Sequence, residues 1–428
     1  MLDRTQAPPL KKFEYQGFPT YYTQKLSNGI ELILIPFGDM PVLEIQMVVQ
    51  TGYCYEPQNA VAQSAFKLLT DGTPKYSSSE LAEKLDFYGS QISCSVGYEQ
   101  SSITLSTLTK HVENTLPLLF EVYYQANFPE NEWFTYQQRM IKNLEIEEKK
   151  TQAMASKFFL KRLWGNYPYG KKVTKEDFQV LDLEIIRKYH QTEILKSQVY
   201  LMVAGKFEEQ ALYGLIDRFF GQLALQPSSF VSLSQTLVPE TQIGEYLHKM
   251  ENQVQSSIRL GHISISRNHP DYEELQVLGT LLGGFFGSRL MKNIREEKGY
   301  TYGIYGGFYG MKENGYFVVS TDVANEYVDS TLEEIYKEIQ RIQNEKVTEE
   351  ELQVVKNYML GNLLSSMETP FQIADTLSLL KLNNLTVEHL KKTFQLIKNI
   401  KIERIMELAN QYINLNNMIV VIAGTRNY

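Results

Sequence analysis

Metal-binding side chains are scarce in this sequence. Six histidines (His111, His190, His248, His262, His269 and His389) are scattered so that no two lie within four residues, and only Cys54 and Cys94 carry thiols. Zinc sites need nitrogen, sulfur or carboxylate donors at short spacing, so no zinc site is evident. The histidines read as surface or strand-end residues, and the cysteines as free buried thiols of a reducing compartment. No G-x-S-x-G follows a strand, which removes a common serine-nucleophile signature. No run approaches about 18 apolar residues, so no membrane-spanning helix is expected. The first residues, MLDRTQAPPLKKFEYQGFP, lack the apolar centre of a signal peptide, and a cytoplasmic location is the expectation. Lys/Arg-rich runs are also missing, and 42 Lys plus Arg against 50 Asp plus Glu leave a formal charge of −8. That balance disfavours nucleic acid as a partner.

What is present reads as a folded two-domain chain. Hydrophobic residues make up 43% and charged residues 21%, leaving little room for long disordered segments. A length of 428 residues exceeds one ordinary core and favours at least two. GIELILIPF and LEIQMVVQTG suggest paired strands, and SQISCSVGYEQSSITLSTL alternates with period two. Between and after them, Ser79–Asp86 opens on a serine cap and VENTLPLLFEVYYQ carries apolar residues at helical spacing.

The chain also repeats itself. VYLMVAG (199–205) returns as MIVVIAG (418–424), and FPENEWFTYQQRMIKNL (128–144) is echoed by VTEEELQVVKNYMLGNL (347–363), both at an offset of 219 residues. The fold class is therefore α+β, with two homologous domains, each a mostly antiparallel sheet packed against helices. The boundaries are 1–224 and 241–428, joined by a Ser/Gln/Pro-containing linker at 225–240.

Three stretches bear on chemistry. GTLLGGFFGSRL (279–290) lacks the Gly-Lys-Ser/Thr ending of a phosphate loop and reads as a close-packing loop at a helix start. SRLMKNIREEKGYTYGIYGGFYG places Arg295 on the last turn of a helix ended by Gly299, and Tyr302 near the start of the next strand. The pair can clamp a peptide carbonyl or steady an oxyanion, but local sequence alone favours the plainer account, in which Arg295 neutralises the helix C-terminus and Tyr302 serves as a strand aromatic. AVAQSAFKLLTDGT (60–73) reads as a short buried helix closed by an Asp-Gly turn, with Gln63, Phe66 and Lys67 on one face.

SRLMKNIREEKGYTYGIY resembles the C-terminal signature of the pitrilysin, insulinase and mitochondrial processing peptidase family of zinc metallopeptidases. The opening LSNGIELILIP and the duplicated half extend that resemblance over nearly the whole chain. In the family, H-x-x-E-H on a helix supplies two zinc ligands and the base that activates water. Gln63, Phe66 and Lys67 stand at those three positions here, between GYCYEP and Gly72-Thr73. The resemblance places the third ligand, a glutamate on a later helix, at Glu145, with Glu147 and Glu148 as alternatives. A Lys67–Glu145 ion pair is expected in place of the metal. No metal is expected in this chain, and zinc is expected in a partner.

By resemblance, chains of this type are non-catalytic subunits that bind small or unfolded peptides beside a sister subunit with intact H-x-x-E-H. Arg295 and Tyr302 then hold substrate across the dimer, and this chain is inactive alone. A scaffold subunit of a larger complex, or a peptide-binding homodimer, is the alternative. At GSQISCSVGY (89–98), where the family docks peptide on a sheet edge, Gln91, Ile92 and Ser93 replace a small Asn-Ala pair, which speaks against strand capture there.

Overall fold

The computed structural model describes residues 13–223 and 238–426. Most of the expected linker, 225–237, lies outside the described residues. Strands β1 (Tyr22–Lys25), β2 (Glu31–Pro36), β3 (Val42–Val49), β4 (Gln91–Val96), β5 (Ser101–Leu108) and β6 (Val199–Gly205) form one sheet in the order β1-β2-β6-β3-β5-β4. Strands β7 (Gly244–Lys249), β8 (Gln255–Ser264), β9 (Thr301–Gly310), β10 (Gly315–Ala324) and β11 (Ile419–Gly424) form the second, in the order β7-β11-β8-β10-β9.

The repeat read from the sequence occupies matching places. β6 is parallel to β2 and antiparallel to β3, as β11 is parallel to β7 and antiparallel to β8; the other neighbours are antiparallel. One expectation is corrected. β2 and β3 do not pair with each other, because the all-apolar β6 inserts between them and buries both of its faces.

Helices α1 (Val61–Leu68), α2 (Ser78–Phe87), α3 (Val112–Gln125), α4 (Glu130–Glu147) and α5 (Thr151–Trp164) follow in the first half. The cap of α2 is Ser77, two residues before the serine expected, and it forms a reciprocal capping box with Glu80. One face of each sheet packs on helices of its own half.

The opposite faces are covered by exchange. α5 lays Phe159, Leu163 and Trp164 on Val318, Ile419 and Val421 of the second sheet. Reciprocally, the helix Pro370–Leu382 lays Ile373, Ala374 and Leu377 on Ile33, Ile35, Val48 and Met202 of the first. Full burial of each large side chain contributes about 1.5–3 kcal/mol, so each half is completed by a helix from the other.

Candidate functional site

The N-terminal site begins at α1. Glu56, before the helix, accepts a hydrogen bond from the Ala62 N–H (3.0 Å) and so serves one of the free donors of the first turn. Burial pushes the Glu56 carboxyl up to about 7. Val61, Ala62, Ala65 and Leu68 turn into the core with Phe66, which is fully buried. The chain then tightens into a 3-10 turn at Leu69–Asp71 and leaves at Gly72, where a Cβ would collide with Pro129 and Asn127.

The expected motif face is therefore split. Phe66 is a core residue, Gln63 is half-buried and Lys67 is exposed. Tyr136 of α4 is placed beside Gln63 and Ser64, and burial holds its hydroxyl up to about 12. Arg139, one turn along, sits 5.5 Å above the Tyr136 ring. Burial raises the Asp71 carboxyl, an effect tempered by the charges of Lys67 and Arg139.

The expected Lys67–Glu145 pair does not form. Trp133, Tyr136, Met140 and Leu144 line the face of α4 that meets the core, so the inward position is Leu144, and Glu145 is turned to solvent. The alternatives are engaged elsewhere: Glu147 with Lys150, and Glu148 with Lys157 (3.4 Å) and Lys175 (3.5 Å).

Zinc does not fit this donor set. An amide, a buried phenyl ring and an exposed lysine occupy the three motif positions, and none supplies a zinc-binding imidazole or carboxylate. Among the described residues no cluster of three or more His, Cys, Asp or Glu could hold a metal ion. His190 is buried and bonded to the Tyr123 carbonyl, so it is neither a surface nor a strand-end residue; His262, near the end of β8 as expected, is buried and bonded to the Ile263 carbonyl. Cys54 and Cys94 are free, and burial pushes the Cys94 thiol up to about 12.

The C-terminal pair is assembled differently. Arg295 lies on a π-helical turn, Met291–Glu297, held from beneath by Asn293, whose amide donates to Glu334 (2.7 Å) and Glu338 (2.8 Å). Gly299, at φ +70°, turns the chain into β9 with Tyr302 at its start. The Arg295 guanidinium then stands 4.7 Å from the Tyr302 ring centre and 5.0 Å from that of Phe286. Each such contact contributes about 0.5–1 kcal/mol at an exposed site.

Among the described residues Arg295 makes no hydrogen bond and no ion pair, and Tyr302 is 88% exposed. Two aromatic faces thus hold a cation while its N–H donors stay free for a planar acceptor. Sequence reasoning missed Phe286. Its signal was the adjacent Phe285-Phe286 pair inside a glycine-rich loop, where two neighbouring rings do not both turn into the core; Phe286 is 58% exposed. It also missed Arg139 and Asp71, which helical spacing from Tyr136 and Lys67 brings to the same place.

The chain is similar to known proteins along most of its length. Residues 40–177 match the family model described as insulinase (peptidase family M16), and residues 181–359 match the one described as peptidase M16 inactive domain. A Bacillus subtilis protein described as the uncharacterized zinc protease YmxG is 22% identical over 346 residues, 80% of this chain and 83% of that one. A second Bacillus subtilis protein, described as the probable inactive metalloprotease YmfF, is 24% identical over 223 residues, 51% of each. The solved peptidase M16 inactive domain from Pseudomonas fluorescens shares the fold, with a TM-score of 0.85 at 22% identity over 95% of this chain and 98% of that one. With both halves matched and H-x-x-E-H absent from the sequence, the chain belongs to the insulinase family, peptidase family M16, as a pseudo-peptidase member.

Proposed function

We propose that this chain is the non-catalytic, substrate-holding subunit of a heterodimeric zinc metallopeptidase that cleaves small or unfolded peptides. The observation that carries the reading is the Arg295 guanidinium, fixed between Phe286 and Tyr302 with its donors unspent. A structural residue at a helix end would be engaged by carbonyls or carboxylates. This one is presented outward, as a group that binds something must be.

In this reading Arg295 donates to a peptide carbonyl, and the exposed Tyr302 hydroxyl donates to a second oxygen of the same main chain. Donors already aimed at the oxygen need little reorganisation as charge grows on it. Metal and activated water come from a sister subunit with intact H-x-x-E-H, since Gln63, Phe66 and Lys67 supply neither ligand nor base. Among the described residues the ring contacts of Arg295 and Tyr302 do not reach α1 or α4 of the same chain, which accords with a site completed by another subunit.

The test is reconstitution. The chain alone should leave an unfolded peptide uncleaved, and mixing it with a zinc-binding sister should yield a stable complex that cleaves it, with zinc in the sister. Cleavage by the lone chain would sink the proposal, and so would a sister whose rate is unchanged by this subunit.

A further inference from the structure

Beside Arg295 and Tyr302, a cavity of about 440 Å³ opens between the Gly283–Phe286 segment, the start of β9 and the end of β10. β9 is the edge strand of its sheet, and most of its outward groups are already covered. The Gly310 N–H donates to the Tyr272 hydroxyl (3.1 Å), the Phe308 carbonyl accepts from Gln276 (3.0 Å), and Gly306 bridges to Gly283. Such caps are how sheet edges avoid adventitious pairing.

At Ile304, itself buried, the covering is weakest. Its N–H points off the edge onto the Met291 sulfur at 3.5 Å, a weak acceptor. In an antiparallel ladder the carbonyl of that residue points the same way, and no side chain among the described residues caps it. This weakly capped stretch of edge, the cavity and the unspent Arg295 donors are therefore adjacent.

The cavity lining is divided in chemistry. Phe286, Met291 and Ile304 are apolar, while Arg259, Ser320 and Asp322 are polar. Arg259 and Asp322 are 3.9 Å apart and balance each other's charge. Asp322 already accepts from Ser257 and Gln152, and Arg259 donates to Ser156, Ile258 and Thr321. Among the described residues Ser320 has no such partner. A site with apolar walls, hydrogen-bonding groups and no net charge suits a large neutral side chain with a polar tip.

We propose that an extended peptide adds to the β9 edge at Ile304 and inserts a tyrosine side chain into this cavity, making it a specificity subsite for aromatic residues with a hydroxyl. This deepens the substrate-holding reading above and rests on it. The incoming strand displaces the Met291 sulfur and supplies both edge hydrogen bonds, while the phenol reaches Ser320 and the Arg259–Asp322 pair.

The test uses the full chain and fluorescently labelled nonapeptides of Ser, Thr and Ala with a central Tyr or Ala. The Tyr peptide should bind at least tenfold more tightly. Gly303→Leu should abolish that preference without lowering the melting temperature, because Gly303 lines the cavity and a Cβ there meets nothing within 4 Å. Arg295→Ala should weaken both peptides alike. On the wild-type chain, N-methylating peptide residues one at a time should weaken binding only at the residue paired with the edge. Tyr and Ala peptides within twofold of each other, or N-methylation felt equally at every position, would overturn the subsite; if Arg295→Ala still weakened both, the substrate-holding role would stand. Binding of neither peptide would remove both.

Discussion

Restoring the family's catalytic triad by Gln63→His, Phe66→Glu and Lys67→His should unfold this protein before it activates it. Phe66 is fully buried among Val61, Ala65 and Leu68. Removing a buried phenyl ring costs about 3–5 kcal/mol, and burying an unpaired carboxylate adds several more. The total is comparable to the roughly 5–15 kcal/mol that holds an ordinary domain together. At about 2–4 °C per kcal/mol for a domain of this class, thermal unfolding should move down by some tens of degrees, if a folded state survives. The new carboxyl would have its pKa raised in the folded state, so the penalty should be smallest below the unfolded pKa and grow as pH rises. Gln63→His and Lys67→His, at half-buried and exposed positions, should each change stability by less than about 1 kcal/mol. Calorimetry with zinc analysis decides it. A triple variant that melts like wild type and holds one zinc would refute the claim that α1 has been rebuilt as core.

Other consequences follow from the same contacts. Glu56, pushed up to about 7 by burial beside Asp177, binds more protons folded than unfolded above pH 4.5; its contribution is fullest below that value and is lost as pH rises toward 7. Glu56→Gln keeps an acceptor for the Ala62 N–H, so it should raise the melting temperature at pH 8 and not at pH 4; an equal effect at both would contradict this. Leu377→Ala, in the helix that crosses to the first sheet, should cost about 2–5 kcal/mol. Hydrogen exchange should then quicken in β2 and β6 of the other half, and protection loss confined to residues beyond 241 would argue against the exchange. Asn293→Leu leaves Glu338, which is 1% exposed, without its amide donor. It should cost about 1–3 kcal/mol and weaken peptide binding; unaltered binding would show that the π-helical turn does not depend on this network.

Local signals in the sequence were read well. Gly299, the helix before it and the aromatic strand after it located Arg295 and Tyr302, because a helix stop and a strand start are decided within a few residues. The repeated Ala-Gly strands fixed the two-domain α+β plan. What escaped was long-range: the insertion of β6 between β2 and β3 and the crossing of α5 to the other sheet join residues far apart in the chain, where hydrophobic pattern indicates burial and not the partner. Glu145 failed for a different reason. Counting residues placed it on α4, while the face was set by Trp133, Tyr136, Met140 and Leu144, and a shift of one residue rotates a side chain by about 100°.

The central claim is that Arg295 acts on a substrate cleaved by another chain. The direct measurement is kcat of the reconstituted complex carrying Arg295→Ala, with assembly followed by light scattering. Loss of one oriented donor at such a site costs about 3 kcal/mol, a fall of roughly 10²-fold, and the complex should assemble as before. Cleavage at the wild-type rate by a fully assembled variant would contradict the account.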